Sequence, residues 1–427
     1  MFEAKVVTNN DNNQLCSSNS DYKDALSKGI LFFEGQRSGK LPATQRVKWR
    51  ADSALSDGNL ENVNLSGGYY DAGDNVKFGW PMAFSVSLLS WAATEYKNEI
   101  NSAKQLPNLR SAIKWGTDFL IRAHTSSTTL YTQVGEGNRD HECWERPEDM
   151  DTPRTLYKIT STSPEGEVAA EAPPSFFAAA IVFRDYDSKY YATLLRHLIG
   201  KYHIYLGLEF LAGKTSLSKY KNDVDSFVCA LMPGSSSVQI KTTSGGVLYT
   251  RDSSNLQYVT SASMIFFVYS KILTEARADG VQCGSVKFSA SKIKSFAKSQ
   301  VDYILGSNPL KMSYMVGFGS KYPTQLHHRG ASIPSIQAHP AKVGCSDGLS
   351  TYYSSSKPNP NTHVGAIVGG PDSNDHFTDS RSDFSHLEPT TYINAAFVGS
   401  VAALLGPTQQ DFPHLQMHHN KSSLVDY

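Results

Sequence analysis

Apolar side chains recur at helical spacing through most of the chain. Tyr22, Leu26, Ile30 and Phe33 stand at i, i+4, i+8 and i+11, behind Ser20 and Asp21, the candidates to cap the helix they predict. Pro81 opens a second run over 82–96, and Pro107 a third carrying Leu109, Ile113, Trp115, Phe119 and Leu120. Proline suits a first helical turn, where its missing N–H is no loss. Later runs cover 188–202, 261–278, 289–305 and 390–405. In the 289–305 run, Ile293, Phe296, Ala297, Val301 and Ile304 share one face, and Gly306 ends it. Pro173-Pro174 falls inside the pattern over 169–183, so a helix there starts late, at Ser175, or is disrupted. Strand signals are sparse, with one small hairpin predicted from 238–242 and 246–250 across Gly245-Gly246. The segments 37–79, 125–167 and 308–388 are long and rich in Gly, Pro, Asn and Ser. Such loops inside a compact domain are uncommon and usually functional. The pattern predicts one all-α domain whose loops gather into a functional face.

Composition narrows the partners. Formal net charge is zero over 427 residues, which argues against nucleic acid and anionic membrane, since both select a basic excess. The best apolar stretch, 264–273, is too short to span a bilayer. Cys16, Cys143, Cys229, Cys283 and Cys345 are odd in number, dispersed and without metal-ligand spacing; one or two bridges remain open, and the compartment with them. Residues 1–20 are polar and lack the basic-then-apolar pattern of a secretory signal. Two glycosylation sequons, Asn64-Leu65-Ser66 and Asn420-Lys421-Ser422, point the other way, toward secretion. Most of the 22 Tyr, 20 Phe and 5 Trp belong to the core, and a minority could line a sugar cleft.

Three motifs carry chemistry. Gly67-Gly68-Tyr69-Tyr70-Asp71-Ala72-Gly73-Asp74-Asn75 places two carboxylates in a glycine-rich loop just before a helix. Small residues between them let both side chains reach one water, one as general base and one to orient it. Taken alone, the same run is also an ordinary turn or capping loop. The second motif, from Phe377 to Thr390, holds Asp379, Asp383 and Glu388 with Arg381 among them, again leading into a helix. A helix dipole would favour the anion of Glu388, whereas a general acid needs a raised pKa from burial or a nearby negative charge. The third is Leu326-His327-His328-Arg329-Gly330, donors for sugar hydroxyls or for a carboxylate; adjacent histidines do not fit zinc spacing. His414, His418 and His419 in the tail read as incidental.

Together and in this order, the motifs resemble glycoside hydrolase family 9, the endo-β-1,4-glucanases, most closely the plant members. The opening run from Phe33 to Pro42 and the block from Cys143 to Asp151 are similar too, and the likeness spans about 20–405. The resemblance implies an (α/α)6 barrel, an open cleft, and endo-hydrolysis of β-1,4-glucan with inversion. It implies Asp74 as base, Asp71 as its helper, Glu388 as acid, and Asp379 and His327 in the active site. It further implies Arg329, His141, Trp144 and Tyr70 as sugar-binding and an extracellular or cell-wall site; no cofactor is needed, since two carboxylates and water suffice, and no acidic loop supports a metal. Inversion requires base and acid to stand ~6.5–9.5 Å apart. The expected organisation is a polar segment over 1–19, a catalytic barrel over 20–406 and a tail over 407–427; oligomeric state is left open.

One stretch departs from the family. Leu194-Leu195-Arg196 runs almost directly into Leu208-Glu209-Phe210, where the family has several more elements, with Gly207 near the join. Missing helices would bare apolar faces at ~1.5–3 kcal/mol per side chain, against a total stability of ~5–15 kcal/mol. Three readings follow: an active enzyme on a trimmed barrel, a weakly active or inactive glycan-binding relative, and the product of an incomplete gene model or splice variant. A protease using Asp71 and Asp74 competes from another class, but the paired Asp-Thr-Gly-type loops it needs are missing.

Overall fold

Some helices of this chain are apolar nearly all round and others carry a single apolar stripe, and that difference sorts them into two layers. The computed structural model describes residues 18–163, 166–198 and 218–406. Cys16, the join near Gly207, the tail histidines and Asn420 lie outside the described residues. The helices include α1 (Asn19–Gly35), α2 (Gly79–Glu95), α3 (Leu106–Ala123), α4 (Gly137–His141), α5 (Gly166–Phe183), α6 (Ser188–Leu198), α7 (Ser218–Leu231), α8 (Leu256–Glu275), α9 (Ala290–Ile304), α10 (Arg329–Ser332), α11 (Phe384–Leu387) and α12 (Thr391–Ala402). Inner helices α8, α12, α2 and α5 pack side by side, backed by outer helices α9, α1, α3 and α6 respectively. α12 is the most enclosed, with every residue from Ile393 to Ala402 buried.

Local chemistry sets the helix ends. Ser18, rather than Ser20, caps α1: its Oγ accepts from the Asp21 N–H, and the Asp21 carboxylate accepts from the Ser18 N–H. Ser289 caps α9 and Thr390 caps α12. The prolines do not delay α5, which runs through Pro173 and Pro174. They deprive only the carbonyls of Ala169 and Ala170 of an i+4 donor, and both residues are exposed, so water can take those bonds. The opposite side of α5, with Ala172, Phe176, Ala179, Ala180 and Phe183, is buried and holds the helix in place. Ile181 on α5 and Ile272 on α8 are 39% and 44% exposed.

The loops hold more strand than their sequence suggests. β3 (Thr129–Val134) pairs antiparallel with β1 (Lys77–Phe78), β2 (His124–Ser126) and β4 (Leu156–Ile159), with Lys77 opposite Val134 and Leu130 opposite Ile159. β5 (Val281–Cys283) and β6 (Val286–Phe288) form a second hairpin. The hairpin expected across Gly245-Gly246 reduces to one bridge, Thr242 with Leu248. Two disulfides join segments distant in sequence: Cys143 to Cys345, and Cys229 of α7 to Cys283 of β5.

Candidate active site

Gly73 is the point where the three motifs meet. Its N–H donates to Glu388 Oε1 at 3.1 Å. Its carbonyl accepts from the Arg329 backbone N–H at 3.0 Å and from Arg329 Nη1 at 3.1 Å. A Cβ at this position would stand 2.0 Å from the His327 carbonyl oxygen, so only glycine lets the acidic loop lie against the histidine loop. The strand-like pairing of Arg37 with Tyr69 holds the acidic loop from behind. Gln36 adds to it, donating to the Ala72 carbonyl at 2.7 Å and accepting from His328 Nε2 at 2.7 Å.

Charge accumulates at this junction. Burial first, and then the Asp74 charge, push Glu388 up to about 7; Arg329 and the Gly73 N–H oppose the shift. Glu388 lies outside α12, which starts at Thr391, and its N–H closes α11 on the Phe384 carbonyl. Asp71 is raised well above the carboxylate range by burial, Asp74 and Glu388, in that order. Oδ1 of Asp71 and Oδ1 of Asp74 are both buried and accept no hydrogen bond from the protein. The other Asp74 oxygen lies 3.4 Å from His141 Nε2, a bond that raises the imidazole pKa.

His327 donates from Nδ1 to the Arg381 carbonyl at 2.8 Å, which leaves the lone pair on Nε2. Burial lowers its pKa to about 4, so the ring is neutral near pH 7. Asp379 accepts from the N–H groups of Thr324 and Gln325 at 2.8 and 2.9 Å and so fixes the loop that delivers His327.

The sequence profile described as Glycosyl hydrolase family 9 matches residues 22–203 and 198–401. The chain belongs to glycosyl hydrolase family 9. An endoglucanase of Phaseolus vulgaris is 59% identical over 471 positions, covering 93% of this chain and 95% of that protein. The endoglucanase of the termite Nasutitermes takasagoensis is 34% identical with a TM-score of 0.78, covering 90% of this chain and 98% of that one. A cellulase of C. cellulolyticum in complex with cellobiose is 27% identical, with a TM-score of 0.71 over 90% of this chain and 98% of that one. The family's (α/α)6 barrel is therefore the fold, and the inner and outer helices are its two layers.

The family match falls into two blocks that meet at 198–203, where the sequence departs. Since 93% of 427 residues is about 397, about 74 of the 471 aligned positions of the bean enzyme have no counterpart here. The three motifs nonetheless meet around Gly73, and none of their residues lies near that join in sequence.

Residues expected at the sugar divide by exposure. The His141 side chain is 60% exposed beside Asp74. Trp144 is 2% exposed, with its indole N–H on Ser332 Oγ and its ring 4.9 Å from that of His327. Tyr70 is equally buried and donates to Ser53 Oγ. Arg329 is buried over the Trp144 ring; beyond Gly73 it donates to the carbonyls of Cys143 and Asp140 at 2.9 Å each. These three support the wall of the site from within. Gln36 and Asp140 were not anticipated. Asp140 accepts from the Asn75 N–H and pairs with Arg329 at 3.4 Å, and only its place beside His141 hinted at it. Asp74, Asp140 and His141 could offer ligand atoms to a cation, though Asp140 is already engaged by these donors. The grouping of Cys143 and Cys345 with Glu145 is no metal site, since those sulfurs are bonded to each other.

Proposed function

We propose that the chain cleaves β-1,4-glucosidic bonds within glucan chains by single displacement, with Asp74 as general base and Glu388 as general acid. The observation that carries this is the Gly73 N–H bond to Glu388, which sets the acid against the Asp71–Asp74 loop. A pKa near 7 keeps a proton on Glu388 for the leaving oxygen. The two unpartnered Oδ1 atoms of Asp71 and Asp74 call for a shared donor, and an attacking water supplies it. Asp74 takes the water's proton, while Asp71, still protonated, orients the water and carries no second charge into the site. His141, exposed at the base, meets the sugar; neutral His327 presents Nε2 to a hydroxyl.

Asp379, Arg329, Trp144 and Tyr70 act in this reading by holding the groups that touch substrate. The catalytic unit is 20–406, and substrate is a β-1,4-glucan such as the cello-oligosaccharides. Export to the cell wall is part of the same reading, supported by two disulfides and the exposed Asn64 of the first sequon. The test is proton NMR of cellopentaose hydrolysis. The first-formed product should be the α-anomer, and Asp74→Asn and Glu388→Gln should each abolish turnover. Initial β-anomer would rule out single displacement.

A further inference from the structure

We infer that Phe384 is a glucan-stacking platform beside the acid, a binding position that rests on the catalytic reading above. Phe384 opens α11, and its carbonyl accepts the N–H of Glu388. The residue is 56% exposed. The ring centre lies 6.0 Å from that of His327, edge-on at 61°. Behind His327 stand Trp144 at 4.9 Å and Tyr353 at 6.1 Å, so the aromatic wall is packed on its inner side and open at Phe384.

Trp144, expected to bind sugar, is sealed inside this wall. Phe384 is the most exposed ring of the cluster; His327 and Tyr353 are half-buried. An isolated apolar side chain on a surface needs no explanation. This one differs because one turn of helix fixes its backbone to that of the acid and its edge rests on a site histidine. A pyranose in the β-linked chair carries its hydroxyls equatorially and offers a flat face of C–H groups. A phenyl face pairs with such a surface through dispersion and C–H contact, with no hydrogen bond to satisfy. The ligand class is therefore a β-linked glucan chain long enough to extend past the cleaved bond, rather than a charged or branched sugar.

Steady-state kinetics of the full chain on cellotriose and cellohexaose tests this, with Phe384→Ala, Phe384→Trp and Glu388→Gln compared with the parent. For Phe384→Ala the KM for cellohexaose should rise roughly tenfold, equivalent to about 1.4 kcal/mol. Its kcat should stay near the parent value, and Phe384→Trp should restore KM. The ring is exposed, so the melting temperature of Phe384→Ala should match the parent. An unchanged KM on both substrates would overturn the inference. So would a fall in kcat alone that tryptophan does not rescue, since that marks a structural role. Loss of turnover in Glu388→Gln checks the catalytic reading separately: normal turnover there removes the acid assignment, while the KM of Phe384→Ala still decides the platform.

Discussion

Replacing Gly73 with alanine tests the shared corner most directly. The new Cβ would lie 2.0 Å from the His327 carbonyl oxygen and 2.9 Å from its carbonyl carbon. Both atoms are backbone, so no rotamer change relieves the contact, and the loops must part by about 1 Å. Overpacking of this kind costs ~1–3 kcal/mol. That is less than the ~5–15 kcal/mol of a typical folded chain, so the variant should fold with a lowered melting temperature. Catalysis should suffer more, because a 1 Å misplacement can cost ~10²-fold. The Gly73 N–H also opposes the rise in the Glu388 pKa, so stretching that bond should move the alkaline limb of the rate profile upward. The assay is kcat/KM on cellopentaose across pH, with a thermal melt and product anomer analysis. A folded Gly73→Ala enzyme working within about threefold of the parent would refute the corner as the device that aligns acid and base.

Other outcomes follow from the same geometry. In the parent, kcat/KM should fall as pH rises through about 7, where Glu388 loses its proton. Because the folded pKa of Glu388 lies above its ordinary value of 4.5, the group favours folding fully below 4.5 and loses that contribution as pH rises through about 7. Glu388→Gln should therefore be inactive yet more stable than the parent at pH 8, by up to about 3 kcal/mol, with the gap closing at pH 4 in paired thermal melts. Arg329→Lys replaces a fork that reaches three carbonyls with one ammonium; kcat should drop at least ~10-fold with helix content by circular dichroism unchanged. Cys345→Ser opens a loop of sequence separation 202 and should cost about 2–4 kcal/mol in chemical denaturation, with a larger loss on reducing the parent, which opens Cys229–Cys283 as well.

Much of this was legible along the chain. Inner helices announced themselves by apolar runs, and the ends of α9 and α12 by Ser289 and Thr390. The proposed acid and base stood in recognisable motifs. Other features were hidden for physical reasons. β3 and β4 pair across a long loop, and pairing depends on partners that sequence spacing does not reveal. The route of α5 through two prolines depends on which carbonyls face water, a matter of tertiary placement. Disulfide partners could not be chosen because 202 and 54 residues separate them.

The order of residues by itself determined which side chains can do acid–base chemistry, the helical period, and the glycine on which the corner turns. Only the folded molecule decided the state of those side chains. Glu388 keeps its proton up to about pH 7 because burial and the Asp74 charge raise its pKa, the charge from a segment more than three hundred residues away, as the 315-residue separation of Gly73 and Glu388 shows. Arg329 and Trp144 turn inward, and Phe384 outward, for the same reason. Desolvation and Coulomb energy depend on distance through space, and sequence fixes distance only along the chain.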